Sequence, residues 1–315
     1  MKKLGMTYPA VTAEQLATIQ ALVADRYTLI QCKVKDPQLQ DCEIVFGQLS
    51  RDNIERATQL KWLHTSSAGV EAYTNTLSEE VVITNSSGAY GIGIAEHLLG
   101  MTLSLLKNAP AYYQQQMQQQ WHDLGQVKSI YGSTVLVVGM GDLGCEYAKR
   151  VHALGATVVG VTRTVKNLSD YPFAEQMVTL DKLPQVVTQA DIVVLCLPGT
   201  PQTAGLFDDA MIGQMKPGAL LLNAGRGSAI DQVALANALN SGHLGGAGLD
   251  VTTPEPLPAE DPLWRASNLL ITPHVSGNMS LELTTQLVVS IFIQNLKRYL
   301  AGQPFERVVD RVAGY

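Results

Sequence analysis

The stretch VLVVGMGDLG, residues 135–144, limits this chain to few folds. Its apolar first half reads as a strand buried on both faces, and the CEYAKRVHALG behind it reads as a helix. Between them Gly139, Gly141 and Gly144 form a GxGxxG spacing. In that context Gly139 permits the tight turn and Gly141 lets the backbone approach a pyrophosphate. Gly144 lets helix and strand pack closely. The free amides and positive end of the helix then receive the phosphates. Strand-like runs continue at ATVVGVTR, ADIVVLCLP, GALLLNAG, GGAGLDV and NLLITPH. The fold implied is α/β, a doubly wound parallel sheet that binds a dinucleotide.

The end of the second strand selects the cofactor. An NAD site usually places Asp or Glu there, on the adenine ribose. This chain has Thr162, Arg163 and Thr164, with Lys166 just beyond. No carboxylate repels a 2′-phosphate, and two cations can pair with one. NADP(H) is favoured, and NAD(H) is the alternative.

The first hundred residues form a smaller α/β unit. YTLIQCKV, CEIVFGQL, KWLHTSS and VVITNSSG read as strands, and TAEQLATIQALVAD as a helix capped by Thr12. From Ile92 the chain reads as helix to Trp121, with Pro110 a kink or a break. So long a helical stretch suits an interdomain spine or a dimer arm. A last helix, from about Ser280 to Ala301, ends at a glycine and returns to the first domain. The expected division is a discontinuous substrate domain, 1–98 with 285–315, and a nucleotide domain, 99–284, with a helical dimerisation arm near 99–125.

Strand ends supply the chemistry. Arg226 follows LLLNAG between two glycines, Glu255 sits in LDVTTPEPLP, and His274 ends LLITPH. Loops after parallel strands gather over one crevice. There a carboxylate could raise an imidazole pKa so that it arrives protonated. A guanidinium could grip a substrate carboxylate through two hydrogen bonds and polarise the carbonyl beside it. Together the three fit hydride transfer to a 2-oxo acid. Taken singly, each also suits a turn, a cap or a surface ion pair.

The net charge of −6 and the lack of a basic cluster argue against a nucleic-acid partner. Cys32, Cys42, Cys145 and Cys196 show no metal spacing and read as small core hydrophobes, so no metal is expected. No apolar run behind Lys2 and Lys3 suggests a signal peptide, and no window reads as a membrane span. A cytoplasmic protein without a membrane partner is expected.

HTSSAGVEAY, ITNSSGAYGIGIAEHLLGMTLSL, VLVVGMGDLG, VVLCLPGTPQTAGLF, MKPGALLLNAGRGSAID, GAGLDVTTPEPLP and NLLITPHVSG stand in order along the chain. With the tail NLKRYLAGQPFERVVD, they resemble the D-isomer-specific 2-hydroxyacid dehydrogenases, a family that includes glyoxylate/hydroxypyruvate reductases and 3-phosphoglycerate dehydrogenases. The resemblance implies two Rossmann-like domains, the smaller one flavodoxin-like, and a homodimer. It implies Arg226 as carboxylate and carbonyl binder, His274 as proton donor and Glu255 as its partner. Backbone amides of Ala68, Gly69 and Val70 would hold the substrate carboxylate. Asp250 would contact the nicotinamide amide. The rest of the cofactor set is Asp142, Leu143, Leu197, Pro198, Ala224 and Gly277, with the three glycines and the Thr162–Lys166 segment.

Two departures stand out. The Arg163 region lacks the usual acid of the NAD-linked members, as in NADPH-preferring reductases. SSAGVEAY replaces the commoner GxGxD pattern of the substrate loop. With the chain ending at Tyr315, no regulatory domain of the larger phosphoglycerate dehydrogenases is expected. The leading reading is reduction of a small 2-oxo acid to the D-2-hydroxy acid. The alternatives are an NAD-dependent dehydrogenase of the phosphoglycerate type and a dinucleotide-sensing interaction protein. The triad of arginine, glutamate and histidine argues against a sensor, which needs no proton donor.

Overall fold

Every pairing between the strands of this chain is parallel, as short apolar runs joined by helical crossovers require. The computed structural model describes residues 1–164, 166–277 and 281–314. It divides into two units, 1–90 with 279–315 and 91–278.

The first unit contains β1 (Lys2–Met6), α1 (Ala13–Val23), β2 (Tyr27–Gln31), β3 (Ile44–Gly47), α2 (Arg51–Arg56), β4 (Trp62–Thr65), α3 (Glu71–Thr74) and β5 (Val82–Thr84). Its sheet order is β2-β1-β3-β4-β5, the flavodoxin-like winding. Thr12 caps α1 in a capping box with Gln15. β1 is absent from the sequence expectation. KKLGM gives only two large apolar side chains, Leu4 and Met6, to the interior, too short an alternation to stand out.

The last helix of the chain lies in this unit, running Glu282–Leu300; its expected start at Ser280 lies outside the described residues. The Phe292 ring stacks on Phe46 with centroids 4.1 Å apart, and Trp62 packs at 5.4 Å. Beyond the helix, Val309 N donates to Ile83 O at 2.9 Å. The Arg311 guanidinium donates to the carbonyls of Thr74, Leu77, Ser78 and Val81. The tail is thus tied to the edge strand β5.

The second unit opens with α4 (Gly91–Leu106) and α5 (Ala109–Met117). It continues through β6 (Thr134–Val138), α6 (Asp142–Ala153), β7 (Thr157–Thr162), β8 (Gln176–Thr179), α7 (Leu183–Val186) and β9 (Ile192–Leu195). It ends with α8 (Asp209–Gln214), β10 (Leu220–Asn223), α9 (Gln232–Asn240), β11 (Gly246–Leu249) and β12 (Leu269–Ile271); the C-terminal helix, already described, is α10. The order β12-β11-β10-β9-β6-β7-β8 is the doubly wound arrangement, reversing between β6 and β9.

Two details differ from the sequence expectation. The division at 98/99 falls inside α4, whose face of Ala95, Leu98, Met101 and Leu105 joins Val137 and Tyr147 in one core. The boundary is therefore 90/91. The helix expected to reach Trp121 breaks at Asn108, which is left-handed (φ 54°), and stops at Met117. Pro110 stands in the first turn of α5, where its missing N–H costs nothing, so it begins a helix instead of kinking one.

Candidate active site

Each glycine of the β6–α6 turn answers to a different constraint. Gly139 has φ +103°, and a Cβ there would sit 2.5 Å from Cys196 O. A Cβ on Gly144 would lie 1.9 Å from Gly139 O, so only glycine lets the helix approach the strand. A Cβ on Gly141 would meet nothing within 4 Å. Gly141 also caps α6 without any side-chain bond, so open space faces the positive end of the helix. Such a cradle fits a pyrophosphate. The Asp142 carboxylate accepts from Gly91 N at 2.9 Å, fixing the start of α4. Leu143 packs on the core beside it.

At the end of β7, Thr162 Oγ1 donates to Thr164 O at 2.7 Å and shapes the turn. Arg163, Thr164 and Lys166 are exposed there. Across the switch point, Leu197 and Pro198 follow β9, and Pro198 O accepts from Thr203 Oγ1 at 2.7 Å.

The glycines around Arg226 are there for space. A Cβ on Gly225 would lie 2.5 Å from Leu197 O, and one on Gly227 would lie 2.1 Å from Thr252 O. The turn is wedged between the chains leaving β9 and β11. Buried Asn223 fastens it: its Oδ1 accepts from Gly225 N at 3.0 Å and its Nδ2 donates to Arg226 O at 2.9 Å. Ala224, also buried, bonds through its N–H to Leu195 O. Arg226 Nη1 donates to Gly225 O at 2.9 Å. A guanidinium on so tightly packed a turn has little freedom of direction.

Arg226, Glu255 and His274 follow β10, β11 and β12, three adjacent strands. Glu255 Oε2 stands 2.8 Å from His274 Nδ1, while Oε1 accepts from Thr252 N at 3.0 Å. The carboxylate is held by its own loop and so aims the imidazole. His274 itself is left-handed (φ 52°), a conformation its N–H supports by donating to Asp250 O at 2.8 Å.

Asp250 is buried, only 1% exposed, and its carboxylate is spent on the His274 loop. Oδ1 accepts from Thr272 Oγ1 at 2.6 Å and Val275 N at 3.0 Å. Oδ2 accepts from Ser276 N at 3.1 Å and from Ser276 Oγ. Because Thr272 gives its proton to Asp250, its oxygen accepts from His97 Nε2 on α4, at 3.0 Å. Asn223, His97, Thr272 and Ser276 were not singled out from sequence. Their types suit any turn or helix; the TPHVSG context was the one available signal. Gly277 follows Ser276 in that turn.

Ala68, Gly69 and Val70 lie in the first unit, after β4. Among the described residues no helix is long and apolar enough to cross a membrane, and no group of His, Cys, Asp and Glu is placed to hold a metal ion.

A phosphate cradle at the switch point of a sheet whose further strand ends carry an aimed imidazole and a guanidinium defines a nucleotide-dependent oxidoreductase. Residues 99–276 match the model of the D-isomer specific 2-hydroxyacid dehydrogenase NAD binding domain. A putative 2-hydroxyacid dehydrogenase of Haemophilus influenzae is 31% identical over 282 residues, 84% of this chain and 86% of that one. The solved D-isomer specific 2-hydroxyacid dehydrogenase family protein of Aeromonas salmonicida is 30% identical, with a TM-score of 0.83 over 98% of this chain and 99% of its own. An NADPH-dependent glyoxylate/hydroxypyruvate reductase of Sinorhizobium meliloti, solved with NADP and sulfate, is 26% identical with a TM-score of 0.82 over all of both chains. This chain belongs to the D-isomer specific 2-hydroxyacid dehydrogenase family, NAD(P)-dependent oxidoreductases of 2-oxo and 2-hydroxy acids.

Proposed function

We propose that this protein reduces a small 2-oxo acid of the glyoxylate or hydroxypyruvate kind to the D-2-hydroxy acid, with NADPH as reductant. The Glu255–His274 pair carries the reading. Since Nδ1 faces the carboxylate at 2.8 Å, the proton for a substrate oxygen sits on Nε2. Arg226 binds the substrate carboxylate and polarises the neighbouring carbonyl. In the first unit, the amides of Ala68, Gly69 and Val70 are offered to a substrate carboxylate. A dinucleotide with its pyrophosphate on the Gly139–Gly144 cradle would supply the hydride from its reduced nicotinamide. Asp250 contributes to its amide only from a carboxylate already engaged by Thr272, Val275 and Ser276.

NADPH in preference to NADH rests on Arg163 and Lys166 at the β7 end, where no carboxylate stands, and on the Sinorhizobium reductase binding NADP. A homodimer is part of the reading. Exposed Tyr113 and Met117 on α5, with exposed Trp121 beyond it, offer apolar surface that a second copy would cover. So is a cytoplasmic location, where a soluble nicotinamide cofactor is at hand.

Nicotinamide absorbance tests the proposal, with glyoxylate, hydroxypyruvate, pyruvate and phenylpyruvate offered against NADPH and NADH. Rapid NADPH oxidation by glyoxylate or hydroxypyruvate is expected. NADPH binding without turnover of any of the four would overturn it and turn attention to phosphorylated hydroxy acids or to a sensing role.

A further inference from the structure

The loop Thr65–Val70 carries no ionisable side chain, and two of its three hydroxyls, on Thr65 and Ser67, are turned onto the loop's own carbonyls. Five successive carbonyls of that loop are taken. Thr65 O accepts from Ser86 Oγ at 2.8 Å, and Ser66 O accepts from Tyr90 Oη. Ser67 O accepts from Thr65 Oγ1 at 2.7 Å and from Ser86 N at 3.1 Å. Ala68 O accepts from Asn85 Nδ2 at 2.9 Å, and Gly69 O from Ser67 Oγ at 2.7 Å. A trans peptide is planar with its N–H opposite its C=O, so fixing each carbonyl also fixes the direction of the next amide. The amides of Ala68, Gly69 and Val70 are thereby set, and among the described residues no protein acceptor takes them.

The donors doing this are buried and have no freedom of their own. Asn85 is 7% exposed, and its Oδ1 accepts from Ser87 N at 3.2 Å, which leaves Nδ2 for Ala68 O. Ser86 is the end of a chain whose proton order is forced. Trp62 Nε1 can only donate, and does so to Thr84 Oγ1 at 2.8 Å. Thr84 then gives its proton to His64 Nδ1 at 2.7 Å, and His64 Nε2 donates to Ser86 Oγ at 3.3 Å. Ser86 has one proton left to give, and Thr65 O receives it. Burial raises the Tyr90 phenol, so its O–H stays protonated and donates to Ser66 O.

We propose that Asn85, Ser86 and Tyr90 are positioning residues that pin the carbonyls of the Thr65–Val70 loop and so hold its amides ready for a substrate carboxylate. The assignment rests on the proposed reading of Ala68–Val70, but the pinning can be read separately from turnover. Asn85→Ala removes the one side chain outside the loop that bonds its central peptide.

Two measurements decide it. In the free protein, hydrogen exchange of the peptide covering the loop should quicken in Asn85→Ala, and to a smaller extent in Tyr90→Phe, which loses only a hydroxyl. In turnover, KM for glyoxylate should rise about tenfold in Asn85→Ala, with kcat and the NADPH Kd little changed, as expected for losing one oriented polar contact to a charged ligand. Unchanged loop exchange in both variants would overturn the pinning. Faster exchange with an unchanged KM would overturn its link to the carboxylate. A wild-type protein that turns over no 2-oxo acid but shows the exchange change would remove the substrate reading while the pinning stands. Should Asn85→Ala not fold, Asn85→Leu, which keeps the volume and loses the donor, carries both tests.

Discussion

The two loop systems that follow parallel strands in this chain work in opposite ways. After β10, β11 and β12 the backbone is locked so that ionisable side chains can project: Gly225 and Gly227 wedge the Arg226 turn, and Asp250 holds the His274 loop. After β4 the side chains are small, and it is the backbone that is presented, aimed by residues about twenty positions away. In both, buried polar neighbours hold the groups proposed to meet the ligand. A side-chain site announces itself by residue type. A backbone site is written in its neighbours.

The largest effect expected in the side-chain system is His274→Ala, which should cut kcat by about a thousandfold, within the range for losing a general acid. Fluorescence titration should show NADPH binding nearly unchanged; loss of binding would mean that His274 serves the cofactor. Next comes Asp250→Asn, which offers an amide N–H to donors that need an acceptor. Stability should fall by about 2 kcal/mol in urea unfolding, from buried bonds left unmade. Turnover should fall by about tenfold or more as the His274 loop loosens. Full activity in a destabilised variant would break the claim that Asp250 aims the imidazole.

Arg163→Ala probes the cofactor end. NADPH affinity should drop about tenfold while NADH affinity barely moves, the signature of one charge-assisted phosphate contact. Equal losses would place the 2′-phosphate elsewhere.

The backbone system is read through pH. Burial pushes the His64 imidazole down to about 3 from its ordinary 6.5, with the Arg307 charge adding to the shift. The folded chain keeps it neutral, whereas the unfolded chain takes up the proton below about 6.5. Its contribution to stability is therefore complete above that pH and is lost at about 1.4 kcal/mol per unit as the pH falls toward 3. In His64→Gln the slope of unfolding free energy between those limits should flatten, measured as urea midpoints. An unaltered slope would mean that another group dominates acid unfolding.

Much of the nucleotide half was legible in sequence because its constraints are local. Gly139, Gly141 and Gly144 sit within six residues, and the apolar runs of β6, β9 and β10 are continuous. Arg226, Glu255 and His274 could be named because a charged residue at a strand end is conspicuous. β1 and β8 escaped because four or five residues of mixed polarity give no period to read. Asn85, Ser86 and Tyr90 escaped because NSSGAY is equally good loop chemistry anywhere.

Sequence alone determined the doubly wound class of the nucleotide half and which side chains are candidates for the chemistry, since period, glycine spacing and charge are properties of neighbours along the chain. Tertiary structure alone decided the rest. Gly225 and Gly227 are required by backbones about 25 to 30 residues distant, and Asp250 is spent on Thr272, Val275 and Ser276. The Ala68 and Gly69 amides take their direction from Ser86 N and Asn85 Nδ2, which hold the carbonyls of Ser67 and Ala68. Hydrogen bonds and close contacts between distant segments exist only once the strands are side by side.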